Sequence, residues 1–256
     1  MNMRVPYLQE ISIERDAELL FGEFMLGRQV RMEPPIQIED ILEKHLGLRI
    51  EFDDLHARYG LPRPEDINEP EVLGAIHFED RRIVVDESLD PEEHPGMEGR
   101  YRYTLAHEGG GHWRLHRHLF SRDPLQSSLF ERPEPSVLCR SSKRNEPVEW
   151  QAEFYASCLL MPKAMVLAAW RARFPDGNPR RLSRKPRLGR PDNLSPMLQQ
   201  VFDRGNRQRD EEAIREFVRP FARQFQVSIT AMRIRLEKLG LLLRDEPRQR
   251  QLAVGL

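Results

Sequence analysis

One short stretch of the chain, TLAHEGGGHWRLHRH at residues 104–118, contains the residue types that bind a transition metal and activate water. In the zinc-peptidase motif H-E-x-x-H, two histidines four residues apart share a helix face and bind zinc, and the glutamate acts as general base. Here His107 and Glu108 precede three glycines, and the next histidine, His112, comes five residues after the first. The stretch therefore predicts zinc-peptidase chemistry, with one residue more than the motif.

The extra residue decides which backbone could bring the two histidines together. Each residue of an α-helix turns by about 100°, so residues five apart are separated by roughly 140° around the axis. A π-bulge adds one residue to a turn, often occurs at functional sites, and would return both histidines to one face. The glycines favour it, because their backbone is permissive and each costs about 1 kcal/mol in an ordinary helix. This interpretation makes His107 and His112 metal ligands and Glu108 the base.

Other interpretations of the stretch stay open at the level of sequence. In a regular helix Glu108, His112 and His116 are spaced by four and would share one face, which makes them a second possible ligand set. The stretch could also bind no metal at all. Outside such a set, His116 and His118 are expected to be polar helix residues or hydrogen-bond donors to the ligands.

A third ligand is expected from another helix, since catalytic zinc usually has three protein ligands and one open position. Glu149 and Glu153 lie four residues apart at the start of a predicted helix whose other face is apolar. Spacing alone does not choose between them, and either could be a solvated surface carboxylate.

The surrounding elements are short and mostly helical. Apolar residues recur at helical spacing from Ile11 to Arg28, and further helices are expected over 38–45, 149–161, 163–173, 196–202, 211–225 and 230–239. Short strands are expected over 49–52, 73–78 and 82–85, the last two as a hairpin. Residues 121–145 are polar, interrupted by prolines, and expected to form a loop. The pattern predicts an α+β fold, mostly helical, with a small antiparallel sheet.

Composition excludes several classes of partner. Lys and Arg number 40 against 41 Asp and Glu, so net charge favours neither nucleic acid nor membrane as the main partner. No apolar run approaches the roughly 20 residues of a membrane span, and the first residues contain no apolar signal segment. Cys139 and Cys158 form neither a disulfide framework nor a metal-binding spacing. A cytoplasmic protein is expected.

Several segments together resemble the ImmA/IrrE family of metallopeptidase-like proteins, over roughly residues 10 to 243. They are Pro34-Pro35, Leu46-Gly47-Leu48, RYTLAHE running into GHWRLH, EWQAEFYASCLLMP, and FQVSITAMRIRLEKLGLL. The family's third zinc ligand is the first Glu of a pattern E-x-x-A-[ND], which the resemblance assigns to Glu149. It likewise implies His107 as first ligand, His112 as second ligand and Glu108 as catalytic base.

The resemblance also implies a function and a domain organisation. Characterised members resemble zinc proteases that cut a partner helix-turn-helix repressor and so derepress its genes, often in stress responses. We therefore expect a zincin-like peptidase domain over residues 1–173, a basic linker containing Pro and Gly over 174–193, and a small helical domain with a polar tail over 194–256. The alternative is a catalytically inactive pseudo-peptidase that regulates by binding a repressor or DNA.

The C-terminal domain contains a segment similar to the turn and second helix of a helix-turn-helix, VSITAMRIRL at residues 227–236. Its apolar side chains are expected to pack inward and its basic ones to be exposed: Val227, Ala231, Ile234 and Leu236 inward, and Arg233, Arg235 and Lys238 outward. Such a helix could contact DNA. Acidic residues nearby instead favour a domain that supports the peptidase or grips the repressor.

Overall fold

The computed structural model describes residues 5–61, 63, 71–119, 137–140, 146–182 and 196–243, with the backbone alone for 137–140 and 196–209. The chain divides into two compact units, one formed by Met1–Val166 with Arg223–Ser228 and the other by Leu167–Ala222 with Ile229–Leu256. The described residues are mostly helical with a small mixed sheet. The expected α+β class is therefore confirmed.

Helices make up most of the described residues of the first unit. They are α1 (Glu10–Arg28), α2 (Ile38–Asp40, continued by a π-helical turn over Ile41–His45), α3 (Leu55–Tyr59), α4 (Glu98–Leu105), the π-segment (Ala106–His116) and α5 (Pro147–Leu160). The unit also contains two short 3₁₀ turns. One is formed by Glu87–Leu89, and the other, directly after the π-segment, is formed by Arg117–Leu119. Local chemistry sets several ends: the Asp54 carboxylate accepts from the Ala57 N–H at 2.8 Å to cap α3, and Pro147 occupies the first turn of α5.

The sheet of the first unit has four strands in the order β1 (Arg49–Asp53), β3 (Arg82–Asp86), β2 (Val72–His77) and β4 (Val137–Arg140). The hairpin of β2 and β3 forms as expected. The expected antiparallel pairing is present between β2 and β3 and between β2 and β4, but it is wrong for β1, which pairs with β3 in parallel. The chain reverses once between β1 and β2 and again in the hairpin, so β3 runs in the same direction as β1. Strand β4 lies within the segment expected to be a loop.

The two faces of this sheet have different neighbours. On one face an apolar cluster forms between β2, β3 and α3: Leu55, Val72, Ala75 and Val84, with Tyr59 and Leu61 packed against it. The other face meets the π-segment, where Gly74 of β2 and Ile83 of β3 lie against it. The histidine stretch is thus supported by the sheet on one side.

The second unit contains part of α6 (Lys163–Arg173), most of α7 (Pro196–Phe225), α8 (Ile229–Lys238) and a two-stranded parallel sheet of β5 (Arg180–Arg181) and β6 (Leu242–Leu243). Two helices were expected in place of α7 because residues 203–210 lack apolar periodicity. The helix is nevertheless continuous, since these residues include few helix breakers.

Aromatic rings pack together in the second unit. Trp170 stacks on Phe221 with ring centroids 5.6 Å apart, and the Arg180 guanidinium lies 4.7 Å from the centroid of the Phe174 ring.

The expected orientation of α8 is wrong for two residues. Ile234 is 43% exposed, whereas Arg235 is 2% exposed. Met232, Arg235 and Leu236 form the buried i, i+3, i+4 face, and the aliphatic stem of the arginine can cover apolar surface on it. Arg235 is consequently not part of an exposed basic surface.

Two expectations from sequence lie largely outside the described residues: the basic part of the linker, 183–193, and the polar tail after residue 244. Among the described helices, none taken singly is both long and apolar enough to cross a membrane. The bent pair of α5 and α6 meets those criteria only when the two are counted together.

Candidate metal centre

The irregular backbone expected in the histidine helix is present and is longer than one bulge. After α4 the chain continues as an eleven-residue π-helix, Ala106–His116. A π-helix hydrogen-bonds residues five apart, so these residues stack as residues four apart do in an α-helix. His107 and His112 therefore lie side by side, and their Nε2 atoms are 3.0 Å apart.

The three glycines let this segment approach three different neighbours. A Cβ atom built on each glycine would lie 2.5 to 2.9 Å from side chains or backbone: Gly109 from Leu42, Gly110 from Leu159, and Gly111 from Ala152. Gly111 is the least able to accept a Cβ, because that atom would meet the backbone Cα of Ala152 at 2.6 Å and backbone cannot move aside easily. The glycines thus bring the π-segment into close contact with α5, which supplies the carboxylate of the site.

Three potential ligand atoms converge beside the π-segment. The Oε2 atom of Glu149 is 3.2 Å from His107 Nε2 and 3.7 Å from His112 Nε2. Tetrahedral zinc with bonds of about 2.0–2.2 Å separates its ligand atoms by about 3.3–3.6 Å. Of the three observed separations, 3.0 and 3.2 Å lie just below that range and 3.7 Å just above it. Two imidazoles and a carboxylate are also a common donor set for zinc.

The charges of these groups suit a divalent cation. Desolvation lowers the pKa of His112 to about 4, so its imidazole is neutral at pH 7 and keeps a lone pair for a metal. Burial would raise the pKa of Glu149, but the neighbouring imidazoles, His107 at hydrogen-bond distance and His112 slightly farther away, outweigh burial and hold the pKa at about 2. The site therefore combines a neutral imidazole, that of His112, with the ionised carboxylate of Glu149.

Glu108 lies next to these ligands. It is fully buried, and together with His107 and His112 it forms a buried group that could hold a metal ion, with ligand atoms within 4.8 Å of one another. Its carboxylate packs against Gly74 of β2, where a Cβ would approach Oε1 to 2.8 Å. The missing side chain at Gly74 leaves the space that this carboxylate occupies. A carboxylate oxygen of Glu108 thus lies within 4.8 Å of a ring nitrogen of each of these two histidines.

The alternative ligand set that includes His116 is not favoured by the geometry. His116 Nδ1 lies 3.1 Å from His112 Nδ1, the ring nitrogen that faces away from His107 and Glu149. Its other nitrogen, Nε2, lies 3.0 Å from Gln151 Oε1. His116 contacts the far side of one ligand, as a hydrogen-bonding partner would. Of the two carboxylates considered in α5, Glu149 contacts both imidazoles, whereas Glu153 is only half-buried.

An ion-pair network joins α1 to the π-segment and α5. The Asp16 carboxylate accepts hydrogen bonds from Tyr155 Oη and Arg114 Nε, both at 3.0 Å. Arg114 also donates to both carboxylate oxygens of Glu23, at 3.0 and 3.2 Å. The Tyr155 ring in turn lies against Gly110. The network helps to hold α5, and with it Glu149, against the π-segment.

Some residues of the site were not expected from sequence. Gly74 and Gln151 have no motif of their own, because their roles depend on contacts between elements far apart in the chain. His116 was considered both as a ligand and as a hydrogen-bonding residue, and the structure places it in contact with His112.

Comparison with known proteins adds little to this geometry. No family model matches the chain, and no curated protein matches it. Among solved structures, the chain is similar to a Mycobacterium tuberculosis transcriptional regulator, with 16% sequence identity and a TM-score of 0.43. The match covers 95% of this chain and 50% of that protein, so the chain spans about half its length. A likeness this distant carries no argument about function.

Proposed function

We propose that the chain is a zinc-dependent endopeptidase of the ImmA/IrrE type, with a zincin-like domain. The observation that carries the proposal is the convergence of His107 Nε2, His112 Nε2 and Glu149 Oε2 within 3.0 to 3.7 Å of one another. Three such ligands leave one position for a water molecule, which is the arrangement of catalytic rather than structural zinc.

The protein groups would divide the work of peptide hydrolysis. Zinc, when bound, supplies a Lewis acid that polarises the scissile carbonyl and lowers the pKa of water toward about 7. Glu108 accepts the proton of the attacking water and delivers it to the leaving amine nitrogen. Burial of Glu108 against Gly74 excludes bulk water, which strengthens its electrostatic interactions with the reacting groups.

The proposed substrate is a helix-turn-helix transcriptional repressor, whose cleavage would derepress its genes. This part rests on the resemblance of the histidine and glutamate segments to the ImmA/IrrE family. The buried position of Arg235 removes one of the three basic side chains expected to face DNA, because its guanidinium is not available to phosphates.

The test compares the wild-type protein with Glu108→Gln. Both proteins are loaded with zinc, metal content is measured, and each is incubated with the helix-turn-helix repressor encoded beside its gene. We expect one equivalent of zinc in both, and repressor fragments, identified by mass spectrometry, from the wild type alone. Equal cleavage by both proteins, or no zinc in either, would contradict the proposal.

A second function is favoured by the depth of the site. His107, Glu108, His112 and Glu149 are each at most 4% exposed. Buried, closed metal sites are typical of structural zinc. The chain would then be a pseudo-peptidase that binds a repressor without cutting it. Zinc bound by both proteins, no fragments from either, and equal affinity for the intact repressor would favour this function.

A further inference from the structure

A chain of hydrogen bonds connects the candidate metal centre to the N-terminal segment. Gln151 Nε2 donates to the Pro6 carbonyl oxygen at 2.8 Å, and Gln151 Oε1 lies 3.0 Å from His116 Nε2. His116 Nδ1 then lies 3.1 Å from His112 Nδ1. His112, His116 and Gln151 are each at most 1% exposed, so the contacts among these three side chains are sheltered from bulk water.

The backbone carbonyl of Pro6 fixes the direction of every bond in this chain. A carbonyl oxygen can only accept, so the Gln151 amide must turn its NH₂ group toward Pro6. The opposite orientation would set two carbonyl oxygens 2.8 Å apart. Gln151 Oε1 is therefore the atom that faces His116, and because it can only accept, His116 must carry a hydrogen on Nε2.

The hydrogen on His116 Nε2 in turn sets the direction of the bond between His116 and His112. A neutral His116 with its hydrogen on Nε2 has a lone pair on Nδ1, and this nitrogen can only accept from His112 Nδ1–H. His112 then has no hydrogen on Nε2. Its free lone pair on Nε2 points toward His107 Nε2 and Glu149 Oε2, at 3.0 and 3.7 Å.

We propose that Gln151 and His116 are positioning residues that hold His112 in the Nδ1–H tautomer, with its Nε2 lone pair directed into the metal centre before metal arrives. That the metal is zinc rests on the function proposed above. The positions of the hydrogens on His112 and His116 are expected in the metal-free protein and do not depend on that function. Partners that orient ligating histidines in this way typically change metal affinity 10–100-fold when they are removed.

The tautomer is read directly by ¹⁵N NMR of the metal-free, full-length protein with labelled histidine. We expect the hydrogen of His112 on Nδ1 and that of His116 on Nε2. A His112 hydrogen on Nε2 in the wild type would overturn the proposal, whether or not the protein binds zinc or cleaves a repressor. Failure of zinc binding with the expected tautomers would instead contradict only the proposed function.

Substitutions test whether the chain of bonds matters for zinc. Gln151→Glu keeps an acceptor for His116 Nε2–H and should keep zinc affinity within a few-fold of the wild type, although it loses the donor to Pro6. Gln151→Leu removes the acceptor and should weaken zinc binding by roughly 10–100-fold. His116→Phe should do the same, and His118→Phe, on an exposed residue nearby, is the matched control.

Zinc dissociation constants are measured by competition with a chelator of known affinity, and circular dichroism checks that each variant is folded. Equal affinities for Gln151→Leu, Gln151→Glu and the wild type would overturn the positioning role. A ¹⁵N spectrum of Gln151→Leu that still shows His112 with its hydrogen on Nδ1 alone would overturn it as well.

Discussion

The Nε2 atoms of His107 and His112 lie 3.0 Å apart although the residues are five positions apart in the chain. An α-helix would turn the two imidazoles roughly 140° away from each other. The π-helical backbone of Ala106–His116 is what brings them together, and the glycines are what let this backbone fit among its neighbours. The unusual spacing of the motif and the unusual backbone therefore compensate for each other.

Gly111→Ala should destabilise the protein through a clash with α5. The new Cβ would lie 2.6 Å from the Ala152 Cα atom, and backbone cannot move aside as a flexible side chain can. Overpacking of this kind costs about 1–3 kcal/mol. The free energy of unfolding, measured by urea titration, should fall by that amount or more.

Gly22→Ala is the matched control, since a Cβ at this helical position meets nothing within 4 Å. It should raise the free energy of unfolding by about 0.5–1 kcal/mol, because alanine loses less backbone entropy in a helix than glycine. A Gly111→Ala protein as stable as Gly22→Ala would show that the π-segment is not held tightly against α5.

Zinc should raise the thermal midpoint of the wild type and not that of Glu149→Gln. Free zinc at 1,000 times its dissociation constant stabilises a folded protein by about 4 kcal/mol, which corresponds to about 10 °C for a unit of this size. Glu149→Gln removes the anionic oxygen that contacts both imidazoles. Thermal scans with zinc and with excess chelator measure the difference.

Glu153→Gln provides the comparison for that experiment, because it changes a carboxylate one turn later in the same helix. We expect a zinc-dependent shift equal to that of the wild type. A shift lost in Glu153→Gln and retained in Glu149→Gln would exchange the roles of the two carboxylates.

Sequence reasoning went furthest where chemistry depends on local spacing. The distance of five residues between His107 and His112 indicates a π-helical backbone, and one is present. Their roles as ligands, and that of Glu149, stay predictions that the geometry supports. Sequence did not indicate that the π-helix would extend over eleven residues, because its length depends on contacts of each glycine with other elements.

Sequence reasoning failed where tertiary packing decides between similar patterns. The apolar residues of α8 allow more than one inward face, and packing selects the face of Met232 and Leu236, which includes Arg235 and leaves Ile234 exposed. Strand periodicity likewise predicted β1 and β3 but not that they run parallel, since alternation of side chains is the same in either direction.

The stability of the metal-free protein should decrease as pH falls below about 6.5, in part because of His77. This side chain is 2% exposed on β2, and no described residue hydrogen-bonds either ring nitrogen. Desolvation lowers its pKa from 6.5 to about 4, and the charged groups that act on it are Arg82, Asp80, Arg58 and Glu51. Between these two pH values the unfolded chain binds a proton that the folded chain does not, so acid favours unfolding.

The contribution of His77 to the free energy of unfolding is fully present above pH 6.5. It is lost as pH falls toward 4, and the loss amounts to about 3 kcal/mol in total. Urea titrations in the presence of chelator, between pH 4.5 and 7.5, measure this slope in the wild type and in His77→Leu. The variant should lose less stability on acidification. If the free energy of unfolding depended on pH in the same way in the wild type and in His77→Leu, His77 would have the same pKa in the folded and unfolded chains.

Asp16→Ala should destabilise the protein because it leaves the buried Tyr155 hydroxyl without its acceptor at 3.0 Å. A buried polar group that loses its partner costs about 1–3 kcal/mol. Asp40→Ala is the matched control: Asp40 forms an exposed pair with Lys44 at 2.7 Å, one turn away on the same helix, and exposed pairs of this kind are worth about 0.3–0.5 kcal/mol.

A double-mutant cycle with Tyr155→Phe separates the hydroxyl from the other contacts of Asp16. Without the hydroxyl there is no unsatisfied group left to bury, so Asp16→Ala should cost less in the Tyr155→Phe background, with a coupling of about 1 kcal/mol or more. The remaining cost would belong to the hydrogen bond from Arg114 Nε. Zinc affinity is measured on the same four proteins. If the network positions Glu149 through α5, the variants that lose stability should also bind zinc more weakly. Unchanged zinc affinity in all four proteins would mean that the network contributes to stability alone.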